Sequence, residues 1–163
     1  MPYWQLYYRL VWSTKYREPL VTPEVEALIY GFLRRKAIGL GATVFALNGM
    51  PNHVHLVAAI PPKIAVAKFV GQVKAVASTK FNKSGVRDLP LFWQEEYGAF
   101  SFDLRRLPFV VAYVERQKEH HRQRRMISAL ERADDTETVA VRDAPAAYPA
   151  GETEWRRDME AIG

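Results

Sequence analysis

Two apolar runs separated by a short turn, the second carrying two histidines one residue apart, constrain this chain more than any other feature. Thr43-Val44-Phe45-Ala46-Leu47 precedes Gly49, Pro51 and Asn52, and Val54-His55-Leu56-Val57-Ala58-Ala59-Ile60 follows. Runs of this length bounded by turn residues read as adjacent strands of a hairpin-like pair. Residues i and i+2 of a strand point to one face, about 7 Å apart. His53 and His55 therefore project from one side of a sheet, with Val54 and Leu56 on the other. Neutral imidazole is the commonest metal ligand among side chains, and this spacing lets two of them reach one ion. A pair of polar residues on a solvated strand face is the plainer reading of the same pattern.

The remaining elements follow from period and punctuation. Residues 3–13 are aromatic and β-rich and read as a first strand. Thr22-Pro23-Glu24 supplies an N-cap, a first-turn proline and an early carboxylate, predicting a helix to about Leu40. Val25, Leu28, Ile29, Phe32 and Leu33 recur on it at helical spacing, and Arg34-Arg35-Lys36 near its end suits the helix dipole. Strands at 42–48 and 53–60 follow. Pro61-Pro62 opens a second helix over about 64–82, with Val66, Phe69, Val70, Val73, Val76 and Ala77 as its buried stripe. Lys68, Lys74 and Lys80 are assigned to its other faces. Residues 91–102 form a fourth extended region with Gly98 as a bend, and Pro108 starts a third helix running to about Glu131. The order β-α-β-β-α-β predicts an α+β, ferredoxin-like antiparallel sheet with two helices on one face. An additional C-terminal helix carries Tyr113.

Composition narrows the chemistry. The chain has 163 residues and no cysteine, so it suits one domain whose metal sites, if any, use His, carboxylate, amide or water ligands. Its start lacks a basic segment followed by an apolar core, and no stretch approaches the ~20 apolar residues of a membrane helix. A cytoplasmic protein with no membrane partner is expected. The net charge of +5 is divided unevenly: residues 1–132 carry 20 basic and 10 acidic side chains, residues 133–163 carry 3 and 8. The chain thus reads as a basic body (1–132) and an acidic, mostly irregular tail (133–163). A basic body attracts polyanions, nucleic acid foremost.

The third predicted helix places Tyr113 and Gln117 at i and i+4, neighbours on one helix face. In one reading Tyr113 packs its ring while Gln117 meets water. In the other, Gln117 lends an amide oxygen to a metal at His53 and His55, and Tyr113 attacks beside it. With these residues in view, His53-Val54-His55 within Met-Pro-Asn-His-Val-His-Leu-Val resembles the His-hydrophobic-His signature of the HUH nucleases. The surrounding sequence is similar to their single-tyrosine transposases, from small bacterial insertion sequences and including the repeat-associated tyrosine transposases. Residues 11–17, Trp93-Gln94 with 97–101, and Tyr113-Val114 with Gln117 and His120-His121 match that family in order. The resemblance spans roughly residues 5–125.

This resemblance implies cutting and rejoining of single-stranded DNA at hairpin-bearing element ends. Tyr113 would be the nucleophile, forming a 5′-phosphotyrosine link, and His53, His55 and Gln117 would hold a divalent magnesium or manganese ion. It also implies a homodimer in which the tyrosine helix of one subunit can complete the site of the other. Lys15, Tyr16, Arg17, Arg34 and Arg35 are the candidate DNA contacts, through stacking and phosphate pairing. His120 and His121, followed by Arg122, Arg124 and Arg125, read as an ordinary basic helix end. Two other classes make different predictions. A non-catalytic or domesticated nucleic-acid-binding protein on the same fold would bind without Tyr113. A metal-dependent hydrolase using His53, His55 and His121 would stay active in Tyr113→Phe.

Overall fold

Every residue of the central strand His53–Ala59 is buried, which a sheet covered on one face cannot achieve. The computed structural model, which describes residues 3–122, shows what covers each side. Four strands, β1 (Tyr7–Ser13), β2 (Thr43–Met50), β3 (His53–Ala59) and β4 (Gly98–Phe102), lie in the order β2-β3-β1-β4 with every neighbouring pair antiparallel. Helix α1 (Pro23–Gly39) joins β1 to β2, and α2 (Val66–Ser84) joins β3 to β4. The β1-to-β2 crossover leaves a gap that β3 fills, the ferredoxin-like split arrangement expected from the element order.

Alternation sorts the side chains. Leu10, Trp12, Val54, Leu56 and Ala58 point toward α1 and α2 and form the main core with Val25, Ile29, Leu33, Phe69, Val70, Val73, Ala77 and Phe81. Toward the opposite face, Ala46, Val57 and Phe102 meet Val110, Tyr113 and Val114 of α3 (Leu107–Glu115). Helix α4 (Gln117–Arg122) continues from α3. The acidic tail expected at 133–163, the end of the third helix beyond 122 and the side chains of His120 and His121 lie outside the described residues.

Several expectations are corrected. The first strand begins at Tyr7, not at residue 3, because β3 and β4 pair with β1 only from Tyr7 onward. The fourth strand is confined to Gly98–Phe102, although an isolated antiparallel bridge pairs Trp93 with Thr14 beyond the end of β1. The third helix is not continuous: it stops at Glu115 and restarts at Gln117. Lys74 is buried on the stripe of α2 rather than displayed on another face. Its ammonium donates to the carbonyl oxygens of Gln94, Glu95 and Glu96 at 2.5, 3.2 and 3.2 Å, tying down the segment before β4. Burial pushes this ammonium down to about 8, against the opposing pull of the Glu95 and Glu96 charges. No helix among the described residues is long and apolar enough to cross a membrane.

Candidate active site

A two-residue turn at Pro51 and Asn52 closes β2 onto β3 immediately before His53. Gly49 makes that closure possible, since a Cβ there would collide with the His53 carbonyl oxygen. The turn sets the register in which β3 starts, and alternation then aims His53 and His55 toward α3 and α4. Their ring centroids are 5.2 Å apart at an interplanar angle of 77°. They are 2% and 0% exposed, so the solvated strand face is not where they sit.

Each imidazole is oriented by a different neighbour. The Asn52 side-chain oxygen lies 2.8 Å from Nδ1 of His53, so that nitrogen donates and Nε2 is the accepting one. Nε2 in turn faces the Gln117 amide nitrogen at 3.3 Å. At His55 the neighbour is Arg9, fully buried on β1, whose Nη1 lies 3.4 Å from Nδ1. A guanidinium only donates, so Nδ1 of His55 accepts in this arrangement. Arg9 also stacks its Cζ 4.3 Å above the Phe100 ring. Tyr113 completes the group: its ring stands edge-on to His55, with centroids 6.0 Å apart at 80°.

The helix break places both residues of the third helix. Asn48 on β2, directly opposite His55, donates its amide to the Val114 and Glu115 carbonyls at 3.1 and 3.0 Å. Those carbonyls lie at the end of α3, where the helical ladder runs out. The Asn48 oxygen accepts from Lys118 at 2.7 Å, and Lys118 also meets Glu26 of α1 at 2.8 Å. One strand side chain thus fixes where α3 ends and where α4 begins, and with them Tyr113 and Gln117.

The donor set can be tested for a metal. Among the described residues no three His, Cys, Asp or Glu side chains gather into a cage. Two imidazoles and one amide remain, and a half-turn of the Gln117 amide exchanges its NH2 for its carbonyl oxygen. This set fits a divalent ion that fills its other positions with water and phosphate oxygens. Asn52 would serve His53 in such a set as a hydrogen-bonded outer partner. His55 can bind an ion through Nε2 only as Arg9 gives up Nδ1.

His53, His55, Tyr113 and Gln117 are brought together within one chain. Lys15, Tyr16 and Arg17 form an exposed 3-10 turn just after β1, held to the β2–β3 turn by the Thr14 amide, 2.9 Å from the Asn52 carbonyl. Arg34 and Arg35 are exposed on α1, across the sheet from the histidines, where Arg35 lies 5.1 Å over the Phe32 ring. Arg9 and Asn48 escaped the reading of the sequence. A lone arginine within an aromatic strand was the only signal for the first, and the second had none.

Comparisons with known proteins converge. A family described as "Transposase IS200 like" matches residues 2–117. The ISDra2 transposase TnpA of Deinococcus radiodurans is 34% identical over 77 residues, covering 47% of this chain and 55% of that protein. The IS200 transposase of Salmonella typhimurium is 24% identical over 106 residues, covering 65% and 62%. The matches thus span little more than half the length of these relatives. Among solved structures, a candidate transposase of Deinococcus radiodurans R1 superposes with a TM-score of 0.57 at 24% identity, covering 72% of this chain and 95% of that one. A REP-associated tyrosine transposase bound to a REP hairpin gives 0.52 at 15% identity, covering 74% of each. At these identities both likenesses speak to the fold.

Proposed function

The chain belongs to the IS200-like transposase family, and we propose from that premise that it cleaves and rejoins single-stranded DNA through Tyr113. The observation that carries this reading is the meeting of Tyr113 with His55, and of Gln117 with His53, under one pair of helices. A tyrosine oxygen attacking phosphorus forms a Tyr–phosphate bond, breaks the P–O3′ bond and releases a 3′-hydroxyl. The diester that results keeps the energy of the cut bond, so a later 3′-hydroxyl can reseal a strand without ATP. A magnesium or manganese ion held by His53, His55 and Gln117 would supply Lewis-acid stabilisation of charge on the phosphate. The protein's own part is to hold Tyr113 edge-on to His55 and to keep His53 in one tautomer through Asn52.

Hairpin-bearing DNA in the cytoplasm is the proposed substrate, supported by the basic body of the chain and by the hairpin carried by the REP-associated neighbour. Lys15, Tyr16 and Arg17 sit next to the turn that precedes His53 and are the proposed contacts nearest the cut. Arg34 and Arg35 could reach only DNA that wraps to the far face. The proposed homodimer rests on the family resemblance. Tyr113 lies against His55 of its own chain, an arrangement in which one protomer would carry all four residues.

The test is covalent capture. End-labelled hairpin DNA from the flanks of the gene is incubated with protein and manganese or magnesium, then run on a denaturing gel. A labelled protein band that needs metal, both histidines and Tyr113 is expected. A gel shift without any adduct would favour a binding protein, and cleavage persisting in Tyr113→Phe would favour a hydrolase.

A further inference from the structure

Beyond the end of β1 the sheet is extended by a short pairing. The Gln94 amide donates to the Ser13 carbonyl at 2.9 Å and the Lys15 amide to the Phe92 carbonyl at 2.9 Å, on either side of the Thr14–Trp93 bridge. Trp93 turns toward α1 and α2: its ring meets Trp12 edge-on at 6.0 Å, and its Nε1 donates to the Lys74 carbonyl at 3.0 Å. Successive side chains alternate faces. Phe92 therefore lies on the other face, the one that carries His53 and His55. There Phe92 is 55% exposed, in a segment that Lys74 anchors through three carbonyls.

A second exposed aromatic follows in the chain directly after Lys15, whose amide pairs with Phe92. Tyr16 is 78% exposed, and it and Arg17 have φ of 56° and 55°, a left-handed pair that non-glycine residues rarely adopt. The turn is held from both sides, by Thr14 Oγ1 donating to the Glu18 and Asn52 carbonyls at 2.5 and 3.2 Å and by the Lys15–Phe92 pairing. Backbone strain of this kind persists where surroundings over-determine it. Here it presents a tyrosine to solvent with Lys15 5.5 Å from its ring. Ser13 pairs with His53 across the strands. With strands about 5 Å apart and about 7 Å per two residues, Phe92 sits roughly 12 Å from His53 along this face. A short run of extended single strand spans that distance.

We propose that Phe92 and Tyr16, flanked by Lys15 and Arg17, form a stacking platform for the unpaired bases that adjoin the bond cut at the histidines. The platform rests on the transposase reading above. Exposed aromatic faces interleaved with cations are what unpaired bases and their phosphates require, and stacking of this kind tolerates any base. A duplex hides its base faces and gains nothing from it.

The test uses the full chain carrying Tyr113→Phe, without divalent metal, so that no cleavage intervenes. Fluorescence anisotropy measures binding of labelled oligothymidylate and of a blunt duplex of equal length at one fixed salt concentration. Phe92→Ala and Tyr16→Ala should each weaken single-strand binding about tenfold. Phe92→Trp and Tyr16→Phe should keep it, with duplex binding unchanged throughout and folding verified by thermal melts. Single-strand binding that survives both alanine variants, or equal losses on duplex, overturns the platform. If the parent chain with Tyr113 intact forms its hairpin adduct yet the oligothymidylate is not bound, the platform fails and the transposase reading stands. If neither occurs, both fall.

Discussion

The two faces of β3 present the same strand to two different environments. Toward α1 and α2 it offers Val54, Leu56 and Ala58 to a core of aliphatic and aromatic side chains. Toward α3 and α4 it offers His53 and His55, with Arg9 and Gln117 also buried there. Burial on the first face stabilises by about 25 cal/mol per Å² of apolar surface. On the second face the same burial strips water from imidazole, guanidinium and amide groups, which costs free energy except where a partner is supplied. Natural proteins accept local departures of this kind chiefly where function requires them. The first face is apolar along β3, whereas the second combines the apolar cluster around Val57 with a group of buried polar side chains.

That contrast can be broken. The largest effect is expected on the site face, where His53→Ala with His55→Ala should lower adduct formation by at least about a thousandfold. The melting temperature should fall only slightly, and a variant that fails to fold would place these histidines in the stabilising core instead. On the helix face, Leu56→Ala should cost about 3 kcal/mol in urea denaturation while the folded fraction keeps its rate of adduct formation. A rate loss without a stability loss there would contradict the division of labour.

Two smaller effects sharpen it. Asn48→Ala removes the donor to two terminal carbonyls of α3 and the acceptor for Lys118. Stability should drop by about 1–2 kcal/mol and adduct formation should slow roughly tenfold as Tyr113 and Gln117 lose their fixed geometry. Hairpin affinity, read by anisotropy, should stay unchanged. Lys74 is the one charged side chain of α2 drawn into the stabilising side. Folding lowers its pKa to about 8 from the ordinary 10.5, so the unfolded chain holds more protons between those values. Stability therefore rises modestly with pH across that window, and thermal melts of Lys74→Met should lose that rise.

Much of this was legible in the sequence for reasons that can be named. The strand order follows from element succession, and the shared face of His53 and His55 from a period of two. Lys74 was legible and missed: it lies four residues after Val70 and three before Ala77, on the buried stripe itself. The break between Glu115 and Gln117 was not legible, because no proline or glycine marks it and the Asn48 side chain that ends α3 comes from a strand far away in sequence. Arg9 was hidden in the same way, since its burial depends on Phe100 and His55 arriving from two other strands. Nor could alternation alone say which of Phe92 and Trp93 faces the histidines until the bridge to Thr14 fixed the register.

In the proposed reaction Tyr113, among the eight tyrosines of the chain, becomes joined to DNA. Peptide mapping by mass spectrometry, after reaction with hairpin DNA and manganese and digestion of the DNA to its last nucleotide, tests it most directly. A 5′-nucleotide adduct is expected on the peptide containing Tyr113 and on no other. An adduct on a different tyrosine, or cleaved DNA with every tyrosine unmodified, would contradict it.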